Sequence, residues 1–575
     1  MPVSSPRKPS VAVVGAGPAG TTLALGLLQH GCEVTLVTDR TAEEFRSGSV
    51  MSSQVTFESA LEIEAALGIP ALLPPSPRIG RMAFDVRYAD GATSAFSTPL
   101  SAPARSVDLR VKVPALLEAV ARLGGKIVVR QADVDDVEEL AAAHDLVVVS
   151  TGRGGLAGLF PVDAEKSPHD EPQRVASLTY LSDGPVDDTF RYHVVDGVGE
   201  CFSSPGLTVG GPCDIVVITG VPGGPIAEAW RDVTTPAEHL DRLHAVLAEW
   251  FPSEAARLAG ATLVDDGSVL RGSFRPVVRR PVGTLPSGAH VLGMADVVVL
   301  SDPLTSQGAN TAIKSASFYL DAIVSHRGAF DEAWMEQTFA NFWRGWAHFV
   351  TRWTNDWLQP FEEHQREALA AAATLPGVAE RIAAGFDDAR LFDPWWYDAT
   401  ATAAFLDEQR AIAAGPFDTR DLRRALGQYA TGVTVVTTHH DGRDYGMTAN
   451  SFTSVSLNPP LVLWAAAKSS PSLPAFEAAE MFAVNVLASD QHHLSRQFST
   501  SGPEKFDGVR LLRDGDGPPL LEGTVAHFVC RRTRRVDAGD HVVFFGEIES
   551  YEAPGGEPLV FHSGFYRLAT KHPDL

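Results

Sequence analysis

A glycine-rich segment near the N-terminus, residues 15–20 (GAGPAG), constrains the fold of this chain more than any other feature. It follows the apolar run VAVVG, precedes a stretch whose leucines have helical spacing, and is followed by a second buried-type strand, EVTLVTD. In such a βαβ unit the first glycine permits the tight turn, the second lets the backbone approach a pyrophosphate, and the third allows close packing of the helix. An acid ending the second strand accepts hydrogen bonds from a ribose. We therefore predict a Rossmann-like α/β domain whose dinucleotide site, for FAD or NAD, contains Gly15, Gly17, Ala19, Gly20 and Asp39.

Composition argues against several classes of partner. The 575 residues carry a formal net charge of −24, which disfavours nucleic acid and anionic membranes because both attract surfaces rich in Lys and Arg. The four cysteines are scattered without metal-like spacing, so no metal site is predicted. The N-terminal residues lead into a strand without an apolar signal core, and few cysteines suit a reducing compartment. A cytoplasmic location is expected.

The apolar runs divide the chain into two predicted domains, 1–412 and 413–575. Between about 160 and 285, short β-type runs separated by Gly and Pro predict an antiparallel sheet inserted into the α/β domain. Helical sequence fills about 330–412. After a break near 413–416, a predicted helix leads into short runs rich in Val, Thr and Phe, with MTANSFTSVS as one strand, which predict a compact β-barrel.

The segment VLGMADVVVLSDPLTSQGANTAIKSA resembles aromatic-ring hydroxylase-like flavin monooxygenases and so favours FAD. The resemblance implies that Asp296 meets the ribityl chain. It also implies that a loop and a helix N-terminus face the isoalloxazine, at Pro303, Gly308, Ala309 and Asn310. A helix dipole directed at the ring would stabilise the anionic reduced flavin. Arg110 stands where such enzymes carry a flavin-contacting polar side chain; the alternative for it is a surface salt bridge.

Four further motifs narrow the resemblance to the styrene/indole monooxygenase group: APARSVDLRVKVPALLEAV, SPHDEPQRVASL, DPLTSQGAN and TRWTN. The VTDR segment ending at Arg40 fits the same group, which places Arg40 among the cofactor residues. The resemblance implies that reduced FAD and O₂ form a C4a-hydroperoxide that transfers oxygen to an alkene or an electron-rich ring, with the inserted sheet as substrate domain. In the corresponding substrate region stand Ser52, Ser53 and Gln54. Two residues depart from the pattern, because Ala295 and Ser306 replace glycine.

The segment GMTANSFTSVSLNPPLVLWAAAKSSPSLPAF resembles the short-chain flavin reductase family, which implies a split β-barrel. The residues implied to meet the flavin ring edge are Thr448, Ala449, Asn450 and Ser451, and those implied to meet its phosphates are Ser454, Lys468 and Ser470. A β-turn of small residues is the alternative for this segment. In GDHVVFFGEI, His541 stands where the family has a histidine beside the nicotinamide, and a buried structural histidine is its alternative.

Both motif sets on one chain predict a self-supplying monooxygenase. NADH would reduce FAD at the C-terminal domain, and the N-terminal domain would epoxidise styrene-like alkenes or indole and sulfoxidise thioethers. The alternative is mainly an NADH:flavin oxidoreductase that supplies a separate styrene monooxygenase. A non-catalytic flavin-binding scaffold is disfavoured by the intact motifs in both halves, and the WxWxIP signature of flavin halogenases is not evident. The reductase resemblance also implies a homodimer formed through that domain.

Overall fold

The computed structural model describes residues 8–151, 155–185, 187–415, 419–500, 502, 505–512 and 517–569. The chain forms two compact units, Met1–Ala413 and Ala414–Leu575.

The first unit combines two large sheets with surrounding helices. Its strands are β1 Ser10–Val14, β2 Glu33–Thr38, β3 Val55–Thr56, β4 Ile79–Arg87, β5 Thr93–Ser106, β6 Lys126–Val129, β7 Leu146–Val149, β8 Val175–Ser182, β9 Thr189–Val195, β10 Gly199–Thr208, β11 Gly211–Gly220, β12 Thr262–Leu263, β13 Val269–Gly272, β14 Val277–Val278, β15 Val282–Thr284, β16 His290–Gly293 and β17 Val299–Leu300. Its helices are α1 Pro18–Gln29, α2 Ala42–Arg46, α3 Glu58–Ala66, α4 Leu109–Arg122, α5 Val134–Ala143, α6 Pro225–Glu228, α7 Pro236–Trp250, α8 Pro252–Arg257, α9 Gly308–Ser325, α10 Glu332–Phe342, α11 His348–Trp357, α12 Glu363–Ala371, α13 Pro376–Asp387 and α14 Ala399–Ala414.

The first sheet has the order β15-β16-β7-β1-β2-β6. The pairs β16/β7, β7/β1, β1/β2 and β2/β6 are parallel, so the carboxyl ends of these strands meet at one edge. Every residue of β1 and β7 is buried, as expected for strands covered on both faces. This sheet confirms the Rossmann-like prediction.

The second sheet has the order β12-β8-β11-β10-β9-β4-β5-β3, with β13 paired to β8. Most of its strands lie in sequence between β7 and β16, but β3, β4 and β5 precede β7 and were not part of the predicted 160–285 segment. The prolines and serines of β5 lower its β propensity, and for this reason the sequence pattern did not predict the strand.

Aromatic side chains of the C-terminal helices fill the core of the first unit. Trp353 and Trp396 are fully buried, and Trp353 packs edge-on against Phe386 with ring centroids 4.8 Å apart. These indole rings therefore serve to fill the core of the first unit. None of the helices in the described ranges combines the length and apolar character needed to span a bilayer.

The second unit contains the helices α15 Thr419–Leu426, α16 Leu473–Ala478 and α17 His492–Ser499. Its strands are β18 Thr431–Gly432, β19 Thr434–His440, β20 Arg443–Ala449, β21 Thr453–Leu457, β22 Pro460–Ala467, β23 Met481–Val486, β24 Leu511–Leu512, β25 Leu520–Leu521, β26 Ala526–Ala538, β27 His541–Glu552, β28 Leu559–His562 and β29 Phe565–Leu568. Seven of them form an antiparallel sheet, β20-β19-β23-β26-β27-β22-β21, whose edge strands β20 and β21 are consecutive in the chain.

The predicted single strand MTANSFTSVS is wrong, because the chain leaves β20 at Ala449 and begins β21 at Thr453. The hydroxyl of Ser451 accepts a hydrogen bond from the backbone N–H of Ala465 at 2.9 Å and donates one to its carbonyl oxygen at 3.1 Å. The Ser451 hydroxyl thus bonds both the N–H and the carbonyl oxygen of Ala465. In a continuous strand, backbone groups of the 447–456 segment would bond to Ala465 instead of a side chain.

Candidate functional site

The carboxyl ends of four adjacent strands define one candidate site in the first unit. β1 leads to Gly15, β2 to Asp39, β7 to Ser150, and β16 to Asp296. Neighbouring strands are about 4.8 Å apart, so these four ends span roughly 14 Å. Ligands of open α/β sheets bind outside the carboxyl ends of the strands, and this span suits an extended dinucleotide.

The three fingerprint glycines meet different physical requirements. Gly15 has a φ of +114°, a conformation that L side chains rarely adopt. A Cβ on Gly20 would lie 1.9 Å from the carbonyl oxygen of Gly15, so only glycine allows α1 to approach the turn. A Cβ on Gly17 would meet no atom within 4 Å, so the backbone at the N-terminus of α1 faces open space. The structure thus provides room for a phosphate where the helix offers unpaired N–H groups.

The remaining predicted residues at this end differ in exposure. Ala19 is buried in α1, whereas the Asp39 side chain is 56% exposed. Arg40 pairs with Asp39 at 3.4 Å, and its guanidinium lies 4.4 Å from the ring centroid of Phe45. Asp296 is exposed and stands three residues after the end of β16. Their contacts with a cofactor remain predictions.

Helix α9 and the loop before it bring together two parts of the predicted site. The side chain of Asn310 accepts a hydrogen bond from the Phe57 N–H at 2.9 Å and donates one to the Val55 carbonyl oxygen at 3.0 Å. It therefore holds the segment that follows Gln54 against α9. Gly308 is exposed, and a Cβ there would meet no atom within 4 Å, so the N-terminus of α9 also faces open space.

The two departures from glycine both lie in left-handed backbone. Ala295 has a φ of +55° and Ser306 a φ of +54°. The left-handed conformation costs a non-glycine residue roughly 1–2 kcal/mol. The resemblance singled out both positions because the related pattern has glycine there, and glycine is the residue that a left-handed backbone favours.

Residues of the predicted substrate segment form hydrogen bonds with one another. The amide nitrogen of Gln54 donates to the Ser52 hydroxyl at 2.5 Å and to the Ser53 carbonyl oxygen at 2.9 Å. The Tyr180 hydroxyl donates to the Ser52 carbonyl oxygen at 3.1 Å. The Gln54 amide oxygen is buried without a hydrogen-bond partner in the described part of the chain, as are the Gln307 amide oxygen and the Ser306 hydroxyl. Such atoms are uncommon in native proteins and are often satisfied by a bound molecule.

Arg110 is 2% exposed, so the surface salt bridge considered for it is wrong. Its guanidinium pairs with Asp108 at 2.8 Å and with Asp265 at 2.8 Å, and it donates to the Thr208 hydroxyl at 3.0 Å. Flanking carboxylates raise the pKa of Arg110 although burial acts to lower it. The residue joins α4 to the second sheet, and its contact with flavin stays a prediction.

Asp302 is a buried carboxyl outside the set of predicted site residues, although it stands directly before Pro303 in the quoted motif. It accepts a hydrogen bond from the Leu304 N–H at 3.1 Å. Burial raises its pKa to about 7; the Leu304 N–H and Arg174 act in the lowering direction, and Glu200 in the raising one. The sequence feature that could have indicated Asp302 is that it is an acid in a loop whose other residues are apolar or neutral.

Asp302→Asn is expected to stabilise the first unit at pH 8 but not at pH 4. Because the folded-state pKa is raised, the stability that the protonated carboxyl contributes is present below about pH 4 and is lost as pH rises through about 7. Asparagine avoids that loss, by on the order of 2 kcal/mol. Urea unfolding across this pH range measures the difference, with Asp241→Asn at an exposed position of α7 as control. A difference in unfolding free energy between Asp302→Asn and the unsubstituted protein that stays constant from pH 4 to pH 8 would contradict the expectation.

In the second unit, the predicted flavin residues surround the ends of β20, β21 and β22. The Thr448 hydroxyl donates to the Ser495 carbonyl oxygen at 2.7 Å, and that of Ser451 is bound to Ala465. Asn450, Ser454 and Lys468 are exposed, Ala449 is buried, and Ser470 is half-buried with its hydroxyl accepting from the Ser472 N–H. The hydroxyls of Thr448 and Ser451 thus organise the backbone, which leaves backbone N–H groups and exposed side chains to meet a ligand.

His541 begins β27 and pairs in register with Ala467, so it lies beside Lys468. Its side chain is 45% exposed, and its Nδ1 lies 2.8 Å from an Asp540 oxygen. The alternative of a buried structural histidine is therefore wrong. In the described residues, no group of three or more His, Cys, Asp and Glu side chains could hold a metal ion.

Family models match three parts of the chain. "Pyridine nucleotide-disulphide oxidoreductase" covers residues 9–200, "Styrene monooxygenase A putative substrate binding domain" covers 152–257, and "Flavin reductase like domain" covers 426–569.

Curated relatives match the two units separately. Styrene monooxygenase StyA of Pseudomonas fluorescens is 30% identical over 328 residues, which are 56% of this chain and 78% of the relative. FMN reductase (NADH) SmoA of Agrobacterium fabrum is 44% identical over 161 residues, which are 28% of this chain and 92% of the relative. HsaB of Rhodococcus jostii, the reductase subunit of a flavin-dependent monooxygenase, is 41% identical over 157 residues, 27% of this chain and 80% of the relative. The chain therefore belongs to the styrene monooxygenase family over its N-terminal part and to the flavin reductase family over its C-terminal part, as a fusion of the two.

Proposed function

We propose that the chain is a self-supplying flavin monooxygenase. The second unit reduces FAD with NADH. The first unit uses the reduced FAD and O₂ to epoxidise styrene-like alkenes or indole and to sulfoxidise thioethers. The observation that carries this proposal is that one chain contains both a styrene monooxygenase-like part and a flavin reductase-like part.

The residues of the first unit fit FAD. Open space lies in front of both helix N-termini, at Gly17 and at Gly308, as a pyrophosphate and a flavin ring would each require. In the described part of the chain the amide oxygens of Gln54 and Gln307 are buried without partners, and they would add hydrogen-bond acceptors for the cofactor. When bound, reduced FAD supplies the reaction with O₂ and the transfer of oxygen.

The chain itself binds the cofactor, orients it and excludes water. The N-terminal N–H groups of α9 would stabilise negative charge on the ring. Behind the loop, the Tyr192 hydroxyl donates to the Leu304 carbonyl oxygen at 2.9 Å, and the Tyr192 ring packs edge-on against Phe386 at 5.9 Å. This aromatic wall would keep solvent from that side of the site, which would limit side reactions with water. Ser52, Ser53 and Gln54 would line the substrate side.

The test uses the purified chain with NADH, FAD, O₂ and one substrate at a time: styrene, indole or a thioether. The expected result is epoxide, indole oxidation product or sulfoxide without any added reductase. A parallel series with FMN in place of FAD shows which flavin the chain requires. Catalase is added so that peroxide released to solvent cannot oxidise the substrate. Product that forms only after addition of a separate reductase would overturn self-supply.

A second function is favoured by the backbone at Ala295 and Ser306. Both residues occupy left-handed conformations near the proposed flavin, so the first unit bears a conformational cost there. The chain would then be mainly an NADH:flavin oxidoreductase that supplies a separate styrene monooxygenase. NADH consumption far in excess of product, together with stimulation of an added styrene monooxygenase, would support this alternative over the first.

His541→Ala is expected to raise the KM for NADH about tenfold and to leave the flavin dissociation constant within about twofold. The side chain is 45% exposed and pairs with the exposed Asp540, so unfolding free energy should change by less than about 0.5 kcal/mol. His440→Ala, at a similarly placed His beside Asp441 in the same unit, is the control. Steady-state kinetics measure the effect, and an unchanged KM would remove His541 from nicotinamide binding.

The proposed homodimer through the second unit is supported by its exposed apolar side chains. Leu457 is 93% exposed, Leu568 71% and Phe565 64%, which is unusual for large apolar residues on a free surface. Light scattering of the full chain tests the dimer; a monomer at micromolar concentration would count against it.

A further inference from the structure

The Ser306 hydroxyl is an unexplained feature of the loop that precedes α9. Its residue is 8% exposed, and the hydroxyl oxygen is buried without a hydrogen-bond partner in the described ranges. The backbone of the same residue is fully used, because its N–H donates to the Pro303 carbonyl oxygen and its carbonyl oxygen accepts from Asn310. Among the residues that the structure describes, the side chain of Ser306 therefore lacks a partner while its backbone has two.

Serine at this position carries two energetic costs. Its φ of +54° disfavours any side chain with a Cβ. A buried hydroxyl without a hydrogen bond costs a further amount, because it has lost water and gained nothing in return. Glycine would avoid both costs, so the serine side chain contributes nothing evident to the stability of the free protein.

The position of Ser306 next to a helix N-terminus suggests what its hydroxyl binds. It stands two residues before Gly308, the first residue of the 18-residue helix α9, where the backbone faces open space. Gln307 between them also has a buried amide oxygen that meets no hydrogen-bond partner within the described ranges. A hydroxyl turns about a single side-chain torsion, so a group bound in front of α9 can receive its hydrogen.

We propose that the Ser306 hydroxyl donates a hydrogen bond to the flavin ring bound at α9 and thereby favours the reduced, anionic form over the oxidised, neutral form. The inference rests on the proposed function of the first unit as a flavin site. Hydrogen bonds to a charged acceptor are roughly twice as strong as those to a neutral one, so one donor discriminates between the two redox states. Ser306 acts as a positioning and selectivity residue for the cofactor.

The test measures FAD dissociation constants of the full chain by anaerobic titration, with oxidised FAD and with dithionite-reduced FAD. Ser306→Ala removes the hydroxyl and keeps the Cβ. This substitution is expected to raise the dissociation constant of reduced FAD by about tenfold or more and that of oxidised FAD by less than about fivefold. The thermal midpoint of the free protein should stay equal or rise, which separates loss of a ligand contact from misfolding.

Two glycine variants complete the design. Ser306→Gly should show the same loss of selectivity with a higher thermal midpoint. Ala295→Gly relieves a similar left-handed φ of +55° without removing a hydroxyl, so it should raise the midpoint and leave the ratio of the two dissociation constants unchanged. Equal affinities of Ser306→Ala and the unsubstituted protein for both redox forms would overturn the inference.

Gly17→Ala identifies which binding isotherm belongs to the first unit. If no isotherm responds to Gly17→Ala, the first unit does not bind flavin and the proposed function itself fails. If one isotherm responds to Gly17→Ala but not to Ser306→Ala, only the inference about Ser306 fails.

Discussion

Gly20→Ala is expected to unfold or strongly destabilise the first unit, by at least about 3 kcal/mol. The added Cβ would lie 1.9 Å from the Gly15 carbonyl oxygen and 2.8 Å from the Ser150 hydroxyl. The N–H of Gly15 donates a hydrogen bond to the Val37 carbonyl oxygen at 2.9 Å. The turn therefore cannot move away from the added Cβ without breaking this bond to strand β2. Urea unfolding followed by tryptophan fluorescence measures the loss.

The matched control is Gly17→Ala, the same substitution three residues earlier. Gly17 has a φ of −67°, which alanine adopts readily, and no atom lies within 4 Å of its added Cβ. We expect unfolding free energy to change by less than about 1 kcal/mol, whereas FAD affinity of the first unit falls about tenfold or more because the methyl group occupies the space of the pyrophosphate. If both variants were equally stable, close packing at Gly20 would not be the role of that glycine.

Arg110→Met is expected to cost the first unit about 3–5 kcal/mol, because removing one partner of a buried ion pair leaves the other charge without compensation. Asp108 is fully buried and lies 2.8 Å from the guanidinium. Methionine preserves much of the side-chain length, so the loss reports charge and hydrogen bonding more than volume. Asp108→Asn in the same protein should recover part of the loss.

Arg46→Met provides the surface comparison for Arg110. Arg46 pairs with Glu118 while 43% exposed, so its loss should change stability by less than about 1 kcal/mol. FAD titration of Arg110→Met, below its unfolding temperature, separates two roles. Unchanged affinity would mean that Arg110 only joins α4 to the second sheet, whereas weaker binding would support the predicted flavin contact. A loss of stability no larger than that of Arg46→Met would contradict the buried pair.

The local patterns were sufficient for the elements whose physical requirement lies in neighbouring residues. The Gly15–Gly20 turn and the buried strands beside it follow from spacing within single segments. Strand β5 and the break between β20 and β21 did not, because proline-rich sequence and a side chain bonded to another strand alter the local signal.

By itself, the sequence determined the two families, the order of their parts and the glycine-favouring positions 295 and 306. Only the tertiary structure decided how distant residues act together. Asn310 binds Phe57 across 253 positions of the chain, and Arg110 meets Asp265 across 155. That the Ser306 hydroxyl has no partner among the described residues is likewise visible only when its surroundings are known. The physical reason is that periodicity and turn chemistry depend on neighbours in the chain, whereas burial, charge compensation and hydrogen-bond partners depend on neighbours in space.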